Sequence, residues 1–123
     1  FGVAILIDCH SMPSIGAGDP PADIVLGDRF GAACAPEITR LAESTLQKRG
    51  YRVARNAPYA GGYATQTYGR PGAKRHALQI EINRALYMDE AQCRKNDRFD
   101  AVKADLTALV EALAAAAFER RLA

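Results

Sequence analysis

Residues 2–11 read GVAILIDCHS, and the fold turns on how that run is taken. The six residues before Asp8 are Gly, Val, Ala, Ile, Leu and Ile, with no polar position at a period of two. Such a run predicts a strand buried on both faces, as in the sheets of α/β proteins. It then breaks into an acid, a thiol, an imidazole and a hydroxyl at Asp8, Cys9, His10 and Ser11. Either the strand leaves the core there for a surface turn, or its end delivers a metal ligand into a site.

Working outward, SMPSIGAGDPPA over 11–22 is rich in Pro and Gly and predicts an irregular loop. DIVLGD over 23–28 predicts a second strand. PEITRLAESTLQKR over 36–49 predicts an amphipathic helix, with Pro36 in its first turn, Ile38, Leu41, Ala42 and Leu46 on one face, and Gly50 past its end. YRVARN follows as a third strand. Residues 57–76 hold four glycines and Tyr59, Tyr63 and Tyr68, and predict a long loop of the kind that carries function. HALQIEINR over 76–84 alternates, with Ala77, Gln79, Glu81 and Asn83 on one side and Leu78, Ile80 and Ile82 on the other. A last helix is expected over 97–122, with Asp97 or Asp100 as N-cap and Arg120 and Arg121 in its final turn. Strand, helix, strand, strand, helix predicts a layered α/β arrangement, and the absence of repeats or linkers predicts one domain over 1–123.

Composition narrows the function. The 123 residues are 49% hydrophobic and 24% charged, which excludes a disordered chain. A net charge of +2 gives no nucleic-acid footprint, and the small basic group of Arg70, Lys74 and Arg75 beside Tyr68 reads as a solvated loop. No stretch reaches the ~20 apolar residues of a membrane span. Cys9, Cys34 and Cys93 are odd in number and widely spaced, which predicts free thiols in a reducing, cytoplasmic setting. The chain opens at Phe1 directly into a strand, so further residues are expected before it in the natural protein.

Ligands of open α/β sheets gather at the carboxyl ends of strands. DCHS, GDR, NAPYAGGY and EINR each follow or end a predicted strand, and so are expected on one rim. His10 is the metal-ligand candidate, since neutral imidazole binds zinc; Asp8, two residues earlier on the same face, is placed to orient it. A lone imidazole is equally read as a hydrogen-bonded surface group. Glu81 stands among apolar neighbours, where burial raises a carboxyl pKa and suits a general base; an ion pair with Arg84 or Arg29 is the competing reading. Arg29 and Arg84 offer guanidinium forks for an anionic substrate, and Asn83 and Tyr59 could add hydrogen bonds. Cys9 with His76 is the weakest pairing considered.

The words LIDCHSMPS, DIVLGDRFG, PYAGGY and HALQIEINRALYMDE, collinear over residues 3–90, closely resemble the N-formylglutamate amidohydrolase family, related to zinc carboxypeptidases and aspartoacylases. The resemblance implies a three-layer α/β/α fold with a mixed sheet, in this chain lacking its N-terminal part. It implies zinc-dependent hydrolysis of N-formyl-L-glutamate to formate and L-glutamate in histidine breakdown, on a small anionic N-acyl amino acid, without nucleic acid or membrane. His10 would be the third zinc ligand, the other two lying upstream of Phe1, and Glu81 the carboxylate that activates water. Gln66 and Thr67 stand where the family pattern leads one to expect Arg and His, which leaves open a different N-acyl amino acid or a short peptide as substrate. One visible ligand also leaves open a catalytically incomplete, carboxylate-binding fragment.

Overall fold

The computed structural model describes residues 2–119. Its centre is β4 (Arg75–Asn83), in which every residue after Arg75 is buried. β4 is flanked by β1 (Ala4–Met12) on one side and by β2 (Ile24–Gly27) then β3 (Val53–Arg55) on the other, giving the order β1-β4-β2-β3. β1 runs parallel to β4, with Asp8 opposite Gln79 and His10 opposite Glu81. β2 runs antiparallel to β4, with Val25 opposite Glu81 and Gly27 opposite Gln79, and β3 is parallel to β2. The sheet is therefore mixed, and the class is α/β as expected.

Side chains alternate across a pleated strand, so the register sorts the sheet into two unlike faces. One face carries Leu78, Ile80, Ile82, Ile24 and Leu26, which join Ile38, Ala42 and Leu46 of α1 (Pro36–Lys48) and Val102, Leu109 and Leu113 of α3 (Phe99–Phe118) in the main core. Each buried Leu or Ile there is worth about 1.5–3 kcal/mol relative to exposure. Both helices thus pack on the same side, and Asp105 of α3 ties them to the turn after α1 by accepting from Arg49 at 2.8 Å and from the Tyr51 hydroxyl at 2.5 Å. The other face carries Asp8, His10, Met12, Gln79, Glu81, Asn83 and Val25. It is covered by a small apolar cluster of Met12, Ala17, Ala22 and Val25, and by the loop leading into α2 (Tyr63–Tyr68).

The predicted elements recur with four changes. β1 continues through DCHS to Met12 and lies at the sheet edge, with Leu6 41% exposed; the strands buried on both faces are β4 and β2. Composition alone does not separate an apolar edge strand from a central one. The 57–76 loop contains α2 and a 3-10 turn at Pro71–Ala73, short elements set by tertiary packing of Thr65, not by an apolar repeat. α3 has Arg98, not Asp97 or Asp100, at its N-cap position, because the Arg98 N–H is taken by the Asn96 side chain just before it; Asp100 sits in the first turn. A two-residue hairpin, β5 (Met88–Asp89) with β6 (Arg94–Lys95), bridges to α3 and was not expected. Gly50 ends α1 as predicted, at φ +93°. Arg120 and Arg121 lie outside the described residues. Among the described residues no helix is long and apolar enough to cross a membrane.

Candidate active site

The mixed topology changes where the polar residues meet. The carboxyl ends of β1 and β4 share one edge of the sheet, but β2 and β3 point the other way, so GDR and NAPYAGGY do not share the expected rim. They reach the site by folding back over the sheet face. The Arg29 N–H donates to the Ala60 carbonyl at 2.8 Å. At Gly27 a Cβ would stand 2.7 Å from the Ala60 carbonyl carbon, so the loop rests directly on β2.

On that face the parallel register sets Asp8, His10 and Glu81 side by side. The His10 Nε2 lies 3.0 Å from Asp8 Oδ2. An ionised carboxylate only accepts, so Nε2 carries the proton and the neutral ring turns the Nδ1 lone pair outward. That Nδ1 faces Glu81 Oε1 at 3.8 Å. Two acceptors opposed at this distance suit a cation or a shared proton between them. Asp8 thus holds the imidazole from its Nε2 side.

Glu81 is 6% exposed on the central strand. Its Oε1 accepts from the Gln79 amide at 3.0 Å, and its other oxygen has no hydrogen-bond partner among the described residues. Burial raises its pKa above the ordinary carboxyl value, the nearby His10 opposes that, Asp8 adds to it and Arg84 opposes it. Among the described residues no arginine forms an ion pair with it within 4 Å; its nearest polar side chains are those of Gln79 and His10.

The other candidates separate. Arg84 lies past the end of β4 and gives its Nε–H to Ser11 Oγ at 3.1 Å, and its remaining guanidinium donors have no partner among the described residues. Arg29, partly buried with φ +52°, makes no side-chain hydrogen bond or ion pair among the described residues. Its backbone sits in a turn held by buried Asp28, which accepts from the Thr39 hydroxyl at 2.9 Å and the Asn56 amide at 2.9 Å. Tyr59 packs on the Met12–Val25 cluster beside the carboxylates. Asn83 is committed elsewhere: its amide donates to the Ala22 carbonyl, its oxygen accepts from the Ala85 N–H, and it is buried, so it scaffolds the loops in place of offering a free polar group. Cys9 and His76 are four positions apart along β1 and β4, about 13 Å, since Ile5, not Cys9, pairs with His76. Instead, the His76 Nδ1 accepts from the Ala35 N–H. Gln79 had no role from sequence; the signal for it was its place two residues before Glu81 in an alternating strand.

The N-formylglutamate amidohydrolase profile matches residues 1–88. The chain belongs to the N-formylglutamate amidohydrolase family. It is 35% identical to the N-formylglutamate deformylase of Pseudomonas aeruginosa, across 98% of this chain and 47% of that protein, and 34% identical to the N-formylglutamate deformylase of Pseudomonas putida, with the same coverage. It also superposes on the crystal structure of N-formylglutamate amidohydrolase from Ralstonia eutropha JMP134 with a TM-score of 0.88 and 41% identity, covering 98% of this chain and 45% of that one. The chain spans about half the length of these family members. The matched stretch contains every residue of the Asp8, His10, Gln79 and Glu81 group.

Proposed function

We propose that this chain carries the proton-transfer carboxylate and one metal-holding imidazole of a zinc amidohydrolase that cleaves N-formyl-L-glutamate to formate and L-glutamate, a step that would belong to histidine breakdown. The observation that carries the reading is the buried Glu81 carboxylate facing His10 Nδ1 across 3.8 Å, in a chain of this family. His10 fits a zinc site, with Nδ1 free to ligate and Nε2 anchored on Asp8. Among the described residues no group of three or more His, Cys, Asp or Glu could hold a metal, so His10 supplies one corner and further ligands come from outside them. When bound, the metal polarises the formyl carbonyl and acidifies water.

Glu81 takes a proton from the attacking water at its unpartnered oxygen and returns it to the departing amine nitrogen. Its raised pKa brings it closer to the neutral range in which both steps are balanced. Arg29 and Arg84 anchor the two carboxylates of glutamate and so align the amide. Tyr59 walls the substrate's apolar carbons. A cytoplasmic setting suits this chemistry and three free thiols. Gln66, an exposed residue of α2 on the site's side of the sheet, supports a second reading in which a different N-acyl amino acid is taken. A panel of N-acyl amino acids separates the two.

The test is Glu81→Gln in the natural polypeptide at the length its gene encodes. Formate release is expected to fall by roughly 10²–10⁴-fold with metal content retained. Turnover near the unsubstituted rate would refute the assignment.

A further inference from the structure

We infer that Gln79 is the positioning residue for the Glu81 carboxylate: its side-chain amide pins Oε1 and leaves the other oxygen as the one that meets water. This rests on the role proposed for Glu81. The two residues are neighbours on one face of β4, which has β1 on one side and β2 on the other. Gln79 is 4% exposed and Glu81 6%, and their contact is 3.0 Å. At this burial water does not replace a lost donor. The carboxylate, as acceptor, requires the amide nitrogen to face it, which turns the Gln79 oxygen towards the loop above. There a Cβ on Gly62 would stand 3.3 Å from that oxygen.

The surrounding backbone is shaped to this amide. Gly27 is the register partner of Gln79 on β2 and offers no side chain beside it. Through that gap the Ala60–Gly61 backbone comes down onto the strand, carrying Gly62 over the amide. Gln79 is thereby enclosed by β1, β2 and the loop, and its amide N–H is given to Glu81. A carboxylate held at a single oxygen keeps its second oxygen in a fixed direction, which is the requirement for a proton acceptor placed against a water. The same enclosure separates Gln79 from the substrate, so it acts through Glu81 alone.

The experiment compares Gln79→Met, Glu81→Gln and the double variant with the unsubstituted natural polypeptide, measuring kcat and KM for formate release from N-formyl-L-glutamate, bound metal and thermal unfolding. Gln79→Met keeps length and burial but removes the donor. It is expected to lower kcat roughly ten- to hundredfold with KM and bound metal within about twofold, and to add no loss in the Glu81→Gln background. An unchanged kcat, a loss carried in KM, or an equal further loss on top of Glu81→Gln overturns the inference. If Gln79→Met does not fold, Gln79→Leu, which also removes the donor without adding charge, is measured in the same way and the same split decides. Full turnover in Glu81→Gln removes the base assignment itself; a dead Glu81→Gln with a fully active Gln79→Met removes only the positioning role of Gln79.

Discussion

Gly27→Ala tests the placement of the loop that roofs the site. At this glycine φ is not positive, so an alanine meets no backbone strain and the cost is wholly steric. Its Cβ would lie 2.7 Å from the Ala60 carbonyl carbon, 2.8 Å from the Gly61 nitrogen and 2.9 Å from the Ala60 oxygen. All three are main-chain atoms, which have no rotamer to yield. To restore an ordinary 3.4 Å contact the loop must retreat by about 0.7 Å. That stretches the 2.8 Å Arg29 N–H to Ala60 bond to the limit of a hydrogen bond, a loss of about 1 kcal/mol. Overpacking adds about 1–3 kcal/mol, so the change is expected to cost about 2–4 kcal/mol. Urea unfolding of the natural polypeptide reads this as a lowered midpoint at unchanged slope. Gly72→Ala is the control, since nothing lies within 4 Å of its added Cβ and its φ is not positive. Equal stability of the two variants would refute the description of the loop as seated on β2.

Two further outcomes follow from buried polar groups. His76 is 4% exposed and burial holds its pKa below the ordinary imidazole value; the unfolded chain therefore binds the proton more readily, and His76 favours folding above pH 6.5, a contribution lost as pH falls through 6.5 towards the lower folded value. The stability difference between the unsubstituted protein and His76→Gln, followed by urea unfolding from pH 8 to 5, should narrow in that direction; a difference that is flat or widens on acidification contradicts it. Thr39→Val keeps shape but strips the hydroxyl that donates to buried Asp28 Oδ2, which should cost about 1–3 kcal/mol by the same unfolding assay. A neutral effect would show that the Asp28 turn beneath Arg29 does not depend on this bond.

The sequence was legible where periodicity has one structural solution. The alternation in HALQIEIN set Glu81 and Gln79 on one face and Leu78, Ile80 and Ile82 on the other, and the structure keeps that division. Pro36 and Gly50 marked the ends of α1 because each acts through local backbone geometry. Strand direction was not legible: IVLG reads the same in a parallel or antiparallel pair, so the expected meeting of four strand ends became a meeting on one sheet face. Nor was the fate of Asn83, whose amide is claimed by the Ala22 carbonyl 61 residues away. The pairing of His10 with Asp8 could be anticipated from their spacing of two on a strand, whereas the opposition of His10 and Glu81 required the register of β1 on β4.

That register also sets a condition on assembly. His10 and Glu81 stand opposite one another but 71 positions apart, with β2, α1, β3 and α2 between them in sequence. Closing so long a segment carries an entropy cost that contacts local in sequence do not. During synthesis the DCHS segment leaves the ribosome as an ordinary peptide, and it gains its partner only after the QIEIN segment has followed it out.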